Sequence, residues 1–147
     1  MSEARQVFTP SLAYDDAPAA IEFLCRAFGF EEKFRLAMPD GSIGHAELGI
    51  GGAIVYVATT WEAGGMASPQ NLPAVHGQVH CEVPDVDAHY ERASREGAVI
   101  AEAPEDQFHG SRSYRAMDLE GHRWIFSQFL REIPETELQA MVDEGKD

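Results

Sequence analysis

The segment Gly110–Gln128, GSRSYRAMDLEGHRWIFSQ, reads as two strands joined by a tight turn. Asp118 can bond the backbone ahead of it and Gly121 accepts positive φ, so these two residues bracket the turn. A weaker copy lies earlier, at Gly41–Ala58, GSIGHAELGIGGAIVYVA, with its turn at Gly51-Gly52. Gly41 and Gly110, Ser42 and Ser111, and Gly52 and Gly121 are each separated by 69 positions. A fixed spacing of this kind points to one supersecondary unit used twice.

The flanking sequence repeats in the same order. Val7–Tyr14 reads as a strand, and Pro10 restricts it to an edge or an irregular position. Asp16 can cap a helix from Ala17 to Phe28, whose Ile21, Leu24, Cys25 and Phe28 form one apolar stripe before Gly29 stops it. Glu32–Ala37 is a strand, Pro39-Asp40-Gly41 a turn, and the hairpin Ile43–Ile50/Ala53–Thr59 follows. In the second pass Gly77–Val83 is a strand, and Asp85 caps a helix to Glu96 that buries Val86, Tyr90 and Ala93 and ends at Gly97. Val99–Ala103 is then a strand, Pro104–His109 a loop, and the hairpin at Gly110–Gln128 closes the unit. Asp16/Asp85, Ala19/Ala88, Glu22/Glu91 and Arg26/Arg95 recur at the same offset. Identities of single letters are too sparse to carry the repeat; the matched order of caps, stripes and turns does.

The 147 residues, 44% of them apolar, fit one domain with a real core. Its parts are a first module at 6–59, a connection at 60–76, a second module at 77–130 and a tail at 131–147. The connection holds two Pro and two Gly without a period, and its Trp61 and Met66 are candidates for a core, a lid or a partner chain. In the acidic tail Leu138, Met141 and Val142 are spaced for a short amphipathic helix past Pro134.

A formal charge of −14 argues against a nucleic-acid partner, which needs a cationic footprint, and against acidic membrane surfaces. No apolar run approaches a membrane span of about 20 residues, and no basic-then-apolar leader is visible. These features lead us to expect a cytoplasmic protein, with Cys25 and Cys81 as buried free thiols. G-x-S-x-G, phosphate-binding glycine loops, CxxC and H-E-x-x-H are all missing from the sequence.

The segments DAPAAIEF, EVPDVDAHYERASREGA and GSRSYRAMDLEGHRWIF, in this order across residues 7–130, resemble the vicinal oxygen chelate superfamily. That group includes glyoxalase I, bleomycin-resistance proteins, extradiol dioxygenases and fosfomycin-resistance enzymes. The resemblance implies an α+β fold of two βαβββ modules, with curved mixed sheets around a cup and helices on the outer face. It also implies a homodimer, since such cups often lie at a dimer boundary. Metal-dependent members draw ligands from the first and last strands of each module, places that fall here on Thr9, Tyr56, Gln78 and Ile125. Only Gln78 is a comfortable donor, and Ile125 has none, so the usual metal site and any resident cofactor are expected to be absent.

Strand alternation extends this reading, because i and i+2 share a face. Gln78, His80 and Glu82 then face the cup, while Val79, Cys81 and Val83 pack under the helices. Tyr56 faces it with His45 across the hairpin and Glu47 two residues on; Tyr114, Arg123 and Ile125 point inward, with Trp124 and Phe126 on the helix side. The candidate ligand-binding set is therefore Thr9, His45, Tyr56, Gln78, His80, Tyr114, Arg123 and Ile125. Arg123 could pair a carboxylate or phosphate on the ligand, or be a surface arginine. His45, Glu47, His80 and Glu82 could hold a displaced divalent metal or act as acid and base. His76, His89, His109 and His122 read as solvent-facing.

Three functions are open at this stage. The first is metal-free sequestration of an aromatic or amphipathic small molecule. The second is a lyase, isomerase or dioxygenase using the displaced site, for which no catalytic residue is assigned. The third is a dimeric interaction module with a filled cup.

Overall fold

The computed structural model describes residues 6–145, so the last two residues of the tail lie outside it. Eight strands and three helices follow in the order β1 (Ser11–Tyr14), α1 (Ala17–Phe28), β2 (Glu31–Ala37), β3 (Ile43–Ile50), β4 (Ala53–Thr59), β5 (Val79–Glu82), α2 (Val86–Arg95), β6 (Val99–Asp106), β7 (Ser111–Met117), β8 (Arg123–Phe129) and α3 (Glu135–Asp143). The strands form two sheets, ordered β1-β4-β3-β2 and β5-β8-β7-β6. In each sheet the first and last strands of a module pair in parallel and the rest are antiparallel. This is the βαβββ unit twice, an α+β fold whose two sheets do not close on each other.

The helices begin where the caps demand. Asp16 Oδ1 accepts from the Ala19 amide at 3.1 Å, and Pro18 sits in the first turn, where a missing N–H costs nothing. Asp85 does the same for Ala88 at 3.1 Å. Gly29 ends α1 with φ 81°, a conformation open to glycine.

Several elements differ from the sequence reading, β5 among them, which is confined to Val79–Glu82 within the expected Gly77–Val83. β1 starts at Ser11 rather than Val7, after the donor-less Pro10, and Val7 and Phe8 are exposed. β6 runs on to Asp106 through the segment expected to be a loop. Shifts in its pairing with β7 between Ile100 and Glu105 absorb Pro104. The connection carries two single-turn 3₁₀ helices, at Glu62–Gly64 and Pro69–Asn71.

The helix-facing sides of the two sheets share one core. Phe28, at the end of α1, packs its ring 5.5 Å from Trp124 and 4.8 Å from Phe126, both on β8. Around them lie Tyr14, Leu48, Val57, Val86 and Tyr114, all nearly inaccessible to solvent.

Polar groups of the second module hold both ends of α1. At its N-terminus the buried Glu120 carboxylate accepts from the amides of Asp15 (2.7 Å) and Asp16 (2.8 Å) and from the hydroxyl of Ser68. At its C-terminus Arg92 donates to the carbonyls of Arg26 (2.9 Å) and Cys25 (3.2 Å), and His89 Nε2 donates to that of Phe28 (2.7 Å). These groups answer the orphan amides and carbonyls that every helix leaves at its ends. The buried Asp118 joins the modules a second time, accepting from the Tyr14 hydroxyl and the Trp124 indole through Oδ2 while Oδ1 fixes its own turn. Burial lifts the Asp118 carboxyl above the ordinary carboxylate range, against the pull of the Tyr14 and Trp124 hydrogen bonds.

None of this clamp is duplicated. The first hairpin turn carries glycines and no carboxylate, and α1 has Ala20 and Phe23 where α2 has His89 and Arg92.

His89 makes the clamp sensitive to acid. Its Nδ1 accepts the Tyr114 hydroxyl proton at 2.6 Å while Nε2–H serves Phe28, so a second ring proton would meet a donor. Burial lowers its pKa below the ordinary value, and the charge of Arg92 adds to that, against the opposing bond to Phe28. A depressed histidine contributes stability above its unfolded pKa of about 6.5 and loses it as pH falls, because the unfolded chain takes the proton first. We expect the urea midpoint to drop between about pH 7.5 and about pH 5.5, and to drop less in His89→Gln. Equal slopes in the two proteins would remove His89 from the account.

Candidate ligand site

On the first sheet Ala46, Leu48, Val55 and Val57 are buried against α1, which leaves their odd-and-even neighbours on the opposite face. That face presents Phe34 and Leu36 of β2, His45 and Glu47 of β3, and Ile54 and Tyr56 of β4. Glu47 lies directly across from Tyr56, and His45 is on the diagonal, the reverse of the order expected from the sequence. The His45 ring meets the Tyr56 ring edge-on at 4.7 Å, has Phe34 at 6.1 Å, and is 3.0 Å from the Glu47 carboxylate. Phe34 and Leu36 are 48% and 51% exposed, so this apolar face is open in the single chain. Thr9 is half-buried just ahead of β1.

On the second sheet Trp124 and Phe126 are buried on the helix side as expected, and the opposite face carries Gln78, His80, Arg123, Ile125 and Ser127. The His80 ring is 2.7 Å from the Ser127 hydroxyl. His80, Ile125 and Arg115 form one row across three strands. Arg115 pairs with Glu102 at 3.1 Å and reaches over β8 to the Gln78 oxygen at 3.3 Å, and Ile125 beneath it is only 8% exposed.

Tyr114 is a correction. It lies on the helix side, 1% exposed, hydrogen-bonded to His89 and not facing the open surface. The cause is one extra residue in the second hairpin turn. Residues 118–122 lie between the Met117/Arg123 pair, against 50–53 between Gly49/Ile54. A uniform offset therefore fails upstream of the turn, where Glu47 corresponds to Arg115, and a slip of one residue inverts a strand. Burial pushes the Tyr114 hydroxyl well above its ordinary pKa.

Two histidines expected in solvent are also corrected. His89 is in the clamp, and His122 donates from Nε2 to the Ala13 carbonyl at 2.8 Å; His76 and His109 are exposed. The cysteines are free but only partly buried, with burial pushing the Cys81 thiol up to about 11, away from thiolate chemistry.

The four family metal positions do not fit a divalent cation. Gln78 already accepts from Arg115, Tyr56 and Thr9 are poor ligands, and Ile125 offers no donor. The displaced set is divided, with His45 and Glu47 on one sheet and His80 and Glu82 on the other. Among the described residues no three of His, Cys, Asp and Glu gather as a metal group.

With this geometry in view, the comparisons are direct. The model of a family described as the Glyoxalase/Bleomycin resistance protein/Dioxygenase superfamily matches residues 6–126. The chain belongs to this superfamily. An uncharacterised protein of Mycobacterium bovis is 36% identical over 142 residues, covering 95% of this chain and 93% of the relative. TioX from Micromonospora sp. ML1 is a solved structure 35% identical with a TM-score of 0.66, covering 88% of this chain and 100% of its own. A genomically encoded fosfomycin resistance protein of Listeria monocytogenes shares the fold at 16% identity and a TM-score of 0.62, over 86% of this chain and 94% of its own. Superfamily membership fixes the architecture but not the chemistry, which rests on the side chains. No helix among the described residues is long and apolar enough to cross a membrane.

Proposed function

We propose that this superfamily member is a metal-free small-molecule binder. In this reading it takes an aromatic or amphipathic compound onto its open sheet faces, and a second copy of the chain closes the cup. The observation that carries it is the pair of faces, with Tyr56 at a family metal position on the first sheet, Phe34 and Leu36 half-exposed beside His45 there, and Ile125 at a family metal position on the second. Apolar and aromatic walls with a few polar groups suit an organic ligand. Exposed apolar side chains grouped on one face favour a covering partner.

The test is a thermal-shift screen of the full chain with planar aromatic and amphipathic compounds, where saturable stabilisation marks binding. Tyr56→Ala is expected to weaken the best ligand about tenfold, roughly 1.4 kcal/mol, with little change in the unliganded melting temperature. Sedimentation should show a dimer. Near-stoichiometric nickel, zinc, manganese or iron in the purified protein would sink this reading in favour of a metalloenzyme.

A further inference from the structure

A cavity of about 440 Å³ lies where the two modules meet, between Pro10–Ala13 and Gly77–Val79, and the connection crosses over it. It contains neither Tyr56 nor Ile125. Its volume is in the range of small-molecule sites. Leu12 lies on the β1 side, and Met66, Leu72 and Val75 line it from the connection. Apart from the His76 and His122 rings these walls are aliphatic, and no Phe, Tyr or Trp lines the cavity.

The polar side chains at this cavity are Ser11, His76, Gln78, His122 and Arg123, of which His122 already donates to the Ala13 carbonyl, and Arg123 is decisive. Among the described residues Arg26, Arg35, Arg95, Arg112 and Arg115 each lie within ion-pair distance of a carboxylate. Arg92 is committed to α1, and of the two remaining described arginines with no carboxylate in ion-pair range, Arg123 and Arg131, only Arg123 lines the cavity. Arg123 meets only the Met117 thioether, at 3.6 Å, and is exposed. In a chain with 25 acidic and 11 basic residues, a guanidinium without a carboxylate is conspicuous. Gln78 stands beside it with its oxygen taken by Arg115, which leaves the amide NH₂ free to donate. A guanidinium and an amide N–H at one end of an aliphatic slot match a carboxylate with a saturated tail.

We propose that this junction cavity binds a small aliphatic carboxylate, its chain under Met66, Leu72 and Val75 and its charge on Arg123 and Gln78. The site shares Gln78 and Arg123 with the open face of the second sheet but takes its walls from β1 and the connection, without Phe34, His45 or Tyr56, so octanoate binding is read separately from aromatic binding at Tyr56.

Titration calorimetry of the full chain with octanoate tests it. Saturable binding is expected, weakening as salt is raised, with 1-octanol at least tenfold weaker. Arg123→Gln should weaken octanoate at least tenfold. Leu72→Trp, which fills the slot from an exposed loop, should abolish binding while circular dichroism and melting temperature stay near wild type. No saturable heat, equal affinity for the alcohol, or unchanged binding in either variant would overturn the proposal. If Leu72→Trp fails to fold, Val75→Trp replaces it with the same two outcomes.

Discussion

Trp124→Ala is expected to destabilise the protein by about 3–5 kcal/mol, the usual cost of truncating a buried tryptophan. The ring is 1% exposed and packs 5.4 Å from Phe30 and 5.5 Å from Phe28, so its loss opens a cavity between the modules. It also removes the indole donor to Asp118 at 3.0 Å, leaving a buried carboxylate short of one partner. The melting temperature should fall on the order of 10 °C. Trp124→Phe keeps most of the packing and should cost clearly less. A loss below about 1 kcal/mol for the alanine variant would mean that Trp124 does not face the shared core.

Gly110→Ala is the second large effect. Gly110 is buried with φ 103°, where an L side chain is strained by roughly 1–2 kcal/mol. A methyl there would also run into the carbonyl oxygen of Arg131 and touch Ile133. That backbone cannot move freely, because the Gly110 carbonyl accepts from the amides of Leu130 (2.9 Å) and Arg131 (3.0 Å). Overpacking of this kind adds about 1–3 kcal/mol. Denaturant unfolding should therefore show a combined loss of roughly 2–5 kcal/mol. Gly41→Ala, at the equivalent position with φ 87° but nothing within 4 Å of the added carbon, should show only the strain. Equal losses at the two sites would discount the Arg131 contact.

Much of this architecture was legible in the chain because its signals are local. Asp16, Asp85 and Gly29 mark helix ends through bonds made within a few residues, and the sheet pairing follows their order. Alternation also placed Tyr56, Gln78 and Ile125 on the open faces, since apolar neighbours anchored each strand. It failed for Tyr114 because parity was carried backwards across a turn of unknown length. Phe34 and Leu36 escaped notice for a related reason, as irregular pairing in β2 hides which of its residues face outward. The clamp could not be read at all. Tyr14 and Asp118 are 104 positions apart, and a turn aspartate that also reaches another module looks like any turn aspartate. The resemblance implied that the sheets of the two modules enclose a cup, whereas the two sheets of the chain do not close on each other.

The clamp makes the two look-alike halves unequal during synthesis. The first emerges from the ribosome with a helix whose flanking Asp15 and Asp16 amides and whose Cys25, Arg26 and Phe28 carbonyls lack these partners until residues 89–120 have followed it out. A fragment of residues 6–76 should accordingly show little helical circular dichroism and should bind hydrophobic dye. If it instead folded cooperatively by itself, the later half would be a neighbour to the earlier one and not its scaffold.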